Sequence, residues 1–138
     1  MWVIFALLSA FFASLTAILA KVGVKGVDSN LATAIRTTVI LVMTYGIVIS
    51  SGVIKEVRLI SKTSLLFLVL SGIATGLSWL FYFKALQLGP ASKVAPIDKL
   101  SVALTIFLSI LILRESAEPK VIFGGLLIVA GSLAIIML

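Results

Sequence analysis

The amino-acid sequence predicts an all-α integral membrane protein, a bundle of five transmembrane helices. Hydrophobic residues make up 62% of the chain and charged residues only 12%, and the mean hydropathy is +1.32. A soluble domain of 138 residues could not bury that much apolar surface. The apolar residues also fall into five runs, each long enough to cross a hydrocarbon core of about 30 Å. We therefore expect one domain, residues 1–138, that spans the membrane five times.

The chain contains neither cysteine nor histidine. This excludes disulfides and thiolate catalysis, and it removes the commonest metal ligand and general base. We therefore expect no enzyme, no catalytic residue, no metal site and no cofactor. The net charge is +6, but the cations are spread over short connections beside apolar runs, where anionic lipid headgroups are the ordinary partners. The bilayer, and not nucleic acid, is the expected partner of this charge.

The first predicted span covers residues 2–20, and the second covers residues 31–50. The first has no basic segment before it, so we interpret it as a retained span and not as a signal peptide. It carries no carboxylate. Asp28, Ser29 and Asn30 are all good N-cap residues for the second span. Within that span a polar stripe lies on one helical face, with Arg36 two turns in. Arg36 either extends to the nearby interface or lines a cavity. The stripe consists of Thr33, Arg36, Thr37 and Thr44.

The third predicted span, residues 64–83, follows a polar loop and ends in aromatic residues. Gly72 and Gly76 permit close approach of another helix. Trp79 and Tyr82 lie one turn apart near the end of the span. They fit an aromatic belt at the membrane interface, or alternatively the wall of a substrate pocket.

The fourth predicted span, residues 90–113, combines an apolar run with two prolines and several charges. Pro90 suits a first helical position. Pro96 has no N–H to donate to the carbonyl of Ser92, so we expect a kink between Ser92 and Pro96. Asp98 and Lys99 follow, roughly 12 to 14 Å along the helix from Pro90, and so inside the hydrocarbon core.

The fifth predicted span covers residues 121–138 and is uncharged. Gly124 and Gly131 share one face, and Ala130 and Ala134 form a pair of small residues one turn apart. Small residues let helix backbones approach closely in a membrane. This span is therefore expected to pack against another helix or a second chain.

Alternation of five spans places the polar residues of spans 2, 3 and 4 in the same half of the bilayer. A carboxylate is too short to reach the interface as lysine does, so Asp98 needs a partner. We expect that partner to be Arg36, because the adjacent Lys99 would not face Asp98 on a regular helix. The alternative is that several of these residues are independent interface anchors. The candidate substrate-binding residues are Arg36, Trp79, Tyr82, Lys93, Asp98 and Lys99.

The loop charges barely select an orientation. The side of the N-terminus carries Lys55, Arg58, Lys62, Arg114 and Lys120, and the other side carries Lys21, Lys25, Lys84 and Lys93. Five cations against four is almost no bias under the positive-inside rule. Either orientation, or both at once, is therefore permitted.

The stretch LQLGPASKVAPIDKLSVALTIFLSILILRES, which follows a span closing on WLFYFKA, is the most specific part of the chain. With the loop and Gly-rich span after it, this stretch strongly resembles the EamA-type domain of the drug/metabolite transporter superfamily. The resemblance covers essentially the whole chain and implies one EamA-type repeat. One departure is Leu113 before Arg114 and Glu115, where the family pattern implies a glycine ahead of the acidic residue.

Many members of that superfamily carry two such domains in tandem, which inverts the second because the span number is odd. The resemblance therefore implies a secondary transporter subunit that moves a small-molecule substrate by alternating access. A single unit would work as an antiparallel homodimer, or with a different five-span chain. The expected location is a prokaryotic cytoplasmic membrane. Two alternatives stay open: a proton-coupled exporter of lipophilic compounds, and an accessory or interaction subunit that transports nothing.

Overall fold

A computed structural model describes residues 1–116 and 118–137. These residues form six α-helices and one 3₁₀ segment and contain no strand. The helices are α1 (Trp2–Gly23), α2 (Ser29–Ser50), α3 (Lys62–Leu88), α4 (Ala91–Asp98), α5 (Leu100–Ile112) and α6 (Pro119–Met137), and the 3₁₀ segment is Val53–Leu59.

The all-helical membrane architecture is confirmed. Four of the helices, together with the nearly continuous pair α4 and α5, give five segments long and apolar enough to cross a membrane. Large apolar side chains remain exposed along every one of them, as Phe5, Val42 and Phe107 illustrate. In a bilayer that surface is solvated by acyl chains, so its exposure carries no penalty.

The helix ends depart from the predicted spans in ways that concern the polar residues. α3 continues five residues beyond Phe83, so Lys84 lies inside a helix and not in a connection. The predicted polar loop contains the 3₁₀ segment, which begins after Gly52 at φ 75°. The last predicted residue of the fifth span, Leu138, lies outside the described residues.

The described residues form two compact units. One comprises Leu19–Gln87, and the other the described residues of Met1–Ile18 and Leu88–Leu138. In the second unit α6 packs on α4 and α5. Gly125 permits the close approach, because a Cβ there would lie 2.9 Å from Cδ1 of Ile106. Gly124 and Gly131 have nothing within 4 Å of a Cβ. The two faces of α6 therefore differ: one is packed within the chain and the other is open.

The turn after α5 is closed by an arginine in the left-handed conformation. Arg114 has φ 55°, the only positive φ of a non-glycine residue among those described. The Glu115 amide then donates to the Ser109 carbonyl at 3.3 Å. The conformation that favours glycine therefore occurs at Arg114, one residue after Leu113, which has φ −86°.

Candidate functional site

Arg36 is positioned by the start of α2. Asp28 is the N-cap of this helix, and its carboxylate accepts from the amides of Asn30 at 2.9 Å and Leu31 at 3.2 Å. The predicted cap is thus confirmed, with the helix beginning at Ser29. Because the cap fixes the first residue of α2, it also fixes the direction in which the Arg36 side chain leaves the helix two turns later.

The guanidinium of Arg36 lies over two aromatic rings of α3. Its central carbon is 4.1 Å from the centroid of Trp79 and 5.4 Å from that of Phe83. Trp79 and Phe83 are four residues apart, so they share one face of α3. Phe83 is only 3% exposed, which holds that face in place. Such a contact stabilises by about 0.5 to 2 kcal/mol.

Tyr82 completes this cluster. It belongs to α3 between the two stacking rings, and it interacts electrostatically with Arg36. Of the predicted site residues, the structure therefore brings together Arg36, Trp79 and Tyr82. Phe83 was not predicted as a site residue, although its spacing from Trp79 is the signal that would have found it.

The threonines of the predicted polar stripe use their hydroxyls within α2. Thr33 donates to the Ser29 carbonyl, Thr37 to the Thr33 carbonyl and Thr44 to the Ile40 carbonyl, each at 2.8 Å. This is the usual arrangement of a hydroxyl inside a helix, where no water is available. The stripe therefore presents one long polar group, the Arg36 side chain.

Two side-chain hydrogen bonds join the end of α3 to the last turn of α1 and to the connection before α2. Lys21 donates through Nζ to the carbonyl of Leu86, and Gln87 donates through Nε2 to the carbonyl of Val27 at 2.8 Å. Leu86 and Val24 are both almost fully buried. These bonds set the register of α3 beside the start of α2, and so the meeting of Trp79 with Arg36. The sequence interpretation did not identify either bond.

The remaining predicted residues lie in the other compact unit. Asp98 ends α4, and its carboxylate lies 3.4 Å from Nζ of Lys99; the two side chains are 37% and 54% exposed. Adjacent residues of a regular helix do not face each other. Here the helix is interrupted at Lys99, between α4 and α5, which allows the contact. Lys93 is exposed one turn earlier. The pairing of Asp98 with Arg36 stays a prediction.

The interruption falls later than expected. Helix α4 continues through Ser92 and Pro96, and the break occurs at Lys99, so the predicted kink between Ser92 and Pro96 is displaced by about one turn. The amide of Lys99 donates to the Pro96 carbonyl at 3.1 Å, a tight 3₁₀-type turn. The hydroxyl of Ser132 in α6 donates to the same carbonyl at 2.8 Å. A tertiary contact thus fixes where the helix breaks.

Two cavities lie within the units, away from the predicted site residues. One, of about 290 Å³, is lined by residues of α5 and α6 and the turn between them, including Ser109, Glu115 and Glu118. The other, of about 490 Å³, lies between the end of α2 and the 3₁₀ segment and is mainly apolar. Neither brings together the polar groups that the sequence singled out.

Five apolar helices with a few charged groups inside the spans define an integral, multi-pass membrane protein. Comparison with known proteins identifies its family. A model of the EamA-like transporter family matches residues 1–137, and the chain belongs to that family. A protein from Sinorhizobium sp, named an uncharacterized transporter in the cobO 3′ region, is 48% identical over 132 residues, which cover 96% of this chain and 94% of the relative. No solved structure matches the chain.

Proposed function

We propose that the chain is a subunit of a secondary transporter that moves a small metabolite across a prokaryotic cytoplasmic membrane by alternating access. Membership of a transporter family gives the general class. The observation that carries the proposal further is the cluster of Arg36, Trp79 and Phe83. A cation inside a membrane span costs at least about 2.5 kcal/mol, and such residues mark substrate paths. Aromatic stacking keeps the cation within the helix pair.

The proposal places Arg36, Trp79, Tyr82, Lys93, Asp98 and Lys99 along the path of the substrate. The first three are brought together in one unit and the last three lie close in sequence in the other.

We also propose that the transporter is a dimer. A chain with five spans has its two ends on opposite sides of the membrane, so an antiparallel pair recreates the inverted repeat that supports alternating access. The open face of α6, with Gly124 and Gly131, supports this arrangement because small residues allow close helix packing. A different five-span chain as partner is the competing assembly.

Counterflow in proteoliposomes tests the function. Vesicles loaded with one unlabelled metabolite from a panel should accumulate the same labelled metabolite transiently, without any ion gradient, because an alternating site exchanges substrate across the membrane. A panel that gives no counterflow with correctly inserted protein would leave the accessory-subunit alternative.

The Asp98 carboxylate supports a second candidate, proton-coupled export of lipophilic compounds. It is a partly exposed carboxylate in a span, and such groups serve in proton relays. An imposed pH gradient should then drive uptake into the vesicles in the wild type and not in Asp98→Asn. Uptake indifferent to the gradient would exclude this candidate.

A further inference from the structure

The Arg36 guanidinium is stacked but not paired within its own unit. All residues of that unit, 19–87, are described. The central carbon of the guanidinium lies over the rings of Trp79 and Phe83, and no ion pair or hydrogen bond is formed between its N–H groups and another residue of the unit. Arginine carries five N–H donors and no acceptor. An arginine held in a membrane span with its donors unused by the rest of its unit is arranged to receive an acceptor from elsewhere.

Neither carboxylate of this unit forms an ion pair with Arg36. Asp28 is occupied by the amides of Asn30 and Leu31 at the start of α2. Glu56 lies beyond the opposite end of α2, and the helix from Arg36 to Ser50 alone spans about 21 Å. Tyr82, which interacts with Arg36, carries a phenol and not a carboxylate. The positive charge of this cluster is therefore uncompensated within the unit.

The stacking also determines which ligand fits. When rings cover one face of a guanidinium, its in-plane N–H groups remain available and present a planar fork. That fork matches the two oxygens of a carboxylate or a phosphate and forms two parallel hydrogen bonds. Because Phe83 is buried and Trp79 shares its helix face, the rings that hold the guanidinium are in position before any ligand arrives.

We propose that Arg36 binds the oxyanion of the transported compound, so that the substrate class is a small organic anion bearing a carboxylate or a phosphate. This inference rests on the proposed transport function, and it names the substrate class and the residue that recognises it. An anionic lipid headgroup offers the same oxyanion chemistry, so the experiment must separate a soluble ligand from a lipid.

Trp79 provides a direct reporter of binding. The chain has two tryptophans, Trp2 and Trp79, and Trp2 is 79% exposed at the start of α1. In a Trp2→Phe background the emission comes from Trp79 alone. Reconstituted in phosphatidylcholine vesicles, this protein should show a saturable emission change with acetate and with inorganic phosphate. Tetramethylammonium should produce no saturable change. A saturable response to tetramethylammonium but not to the anions overturns the proposal.

Substitutions at Arg36 test the role of the fork. Arg36→Gln should weaken the apparent affinity for acetate or phosphate at least about tenfold, as expected when a charge-assisted hydrogen bond is lost. Arg36→Lys keeps the charge but not the fork, so its affinity should fall between the two. The matched control is Arg58→Gln, since Arg58 is exposed in the 3₁₀ segment. Helical circular dichroism checks that each variant is folded. Equal affinity in wild type and a folded Arg36→Gln overturns the proposal.

Vesicles that contain phosphatidylglycerol distinguish the two sources of the oxyanion. If the substrate is soluble, the acetate and phosphate titrations keep their midpoints when phosphatidylglycerol is added. A midpoint that rises in proportion to phosphatidylglycerol identifies a lipid headgroup as the ligand and overturns the proposal.

Transport distinguishes failure of this inference from failure of the proposed function. Counterflow of neutral or cationic metabolites alone, at equal rates in wild type and Arg36→Gln, supports a transporter but overturns its anionic substrate class. Saturable anion binding that depends on Arg36, without counterflow of any metabolite, supports the oxyanion site but overturns transport.

Discussion

The hydroxyl of Ser132 in α6 donates to the carbonyl of Pro96 in α4, 2.8 Å away. Ser132 is 4% exposed, so this bond is shielded from water. Pro96 has no N–H, so its helix lacks one backbone hydrogen bond. The carbonyl of Pro96, which accepts from Ser132, lies next to the interruption at Lys99. The geometry of the interrupted span thus depends on a residue from another helix.

Replacing Ser132 with alanine should lower the free energy of unfolding by about 0.5 to 1.5 kcal/mol, because the Pro96 carbonyl loses a buried donor. Thermal unfolding in detergent measures this. Ser14→Ala is the matched control, since Ser14 donates only to the Phe11 carbonyl of its own exposed helix. Equal destabilisation by the two substitutions would contradict the importance of the tertiary bond.

Replacing Pro96 with alanine should restore an N–H that can donate to the Ser92 carbonyl and make α4 and α5 continuous. Because the chain has no cysteine, spin labels can be placed at Lys93→Cys and Leu111→Cys, two exposed positions. In a straight helix their Cα atoms would be about 27 Å apart. Electron paramagnetic resonance should show the distance moving toward this value in Pro96→Ala and unchanged in Pro90→Ala. No movement in Pro96→Ala would mean that the proline does not cause the break.

Alanine at two adjacent glycines of α6 should have different effects. In detergent-dispersed monomers Gly124→Ala meets open space and should raise stability by up to about 1 kcal/mol, because glycine is a poor helix former. Gly125→Ala places its Cβ 2.9 Å from Cδ1 of Ile106 and should lose that gain. Shortening the neighbour with Ile106→Val in the Gly125→Ala background should recover stability. If the two single substitutions have the same melting temperature, the close packing of α6 on α5 is wrong.

The contact of Arg36 with Trp79 should be measurable as an energetic coupling. Arg36→Gln, Trp79→Leu and their combination form a double-mutant cycle, with an expected coupling of about 0.5 to 2 kcal/mol in unfolding free energy. The same cycle with Arg58→Gln in place of Arg36→Gln should give additive effects, since Arg58 is in the 3₁₀ segment. Additivity in the Arg36 cycle would show that the stack does not stabilise the fold.

A single cysteine tests whether the chain inserts in both orientations. Ser61 receives the Ser64 amide on its hydroxyl and so caps α3; the exposed Thr63 is therefore the better labelling position. If antiparallel homodimers form, Thr63→Cys should react with an impermeant maleimide from both faces of the membrane, in intact and in inverted vesicles. Labelling from one face of the membrane only would point instead to a different partner chain or a parallel assembly.

The sequence was sufficient to predict the five spans and the cap at Asp28, because both depend on local composition. It also placed Arg36 and Trp79 in the same half of the membrane. It could not predict their stacking, which depends on the bonds from Lys21 and Gln87 that set the register of α3. For the same reason the predicted kink lay about one turn before the observed interruption at Lys99. The proline determines which helical hydrogen bond is lost, and the contact from Ser132 determines where the helix is interrupted.

Arg114 connects the conformation of one turn with the orientation of the protein. A non-glycine residue at φ 55° carries strain of about 1 kcal/mol that glycine would relieve. Glycine would also remove one cation from the side that carries Lys55, Arg58, Lys62, Arg114 and Lys120, and 5 − 1 leaves four against four. Arg114 is therefore both the strained residue of this turn and a cation whose loss would make the predicted loop charges equal on the two sides. Replacing Arg114 with glycine would thus leave insertion without a charge preference, as equal numbers of the two orientations in an antiparallel homodimer require.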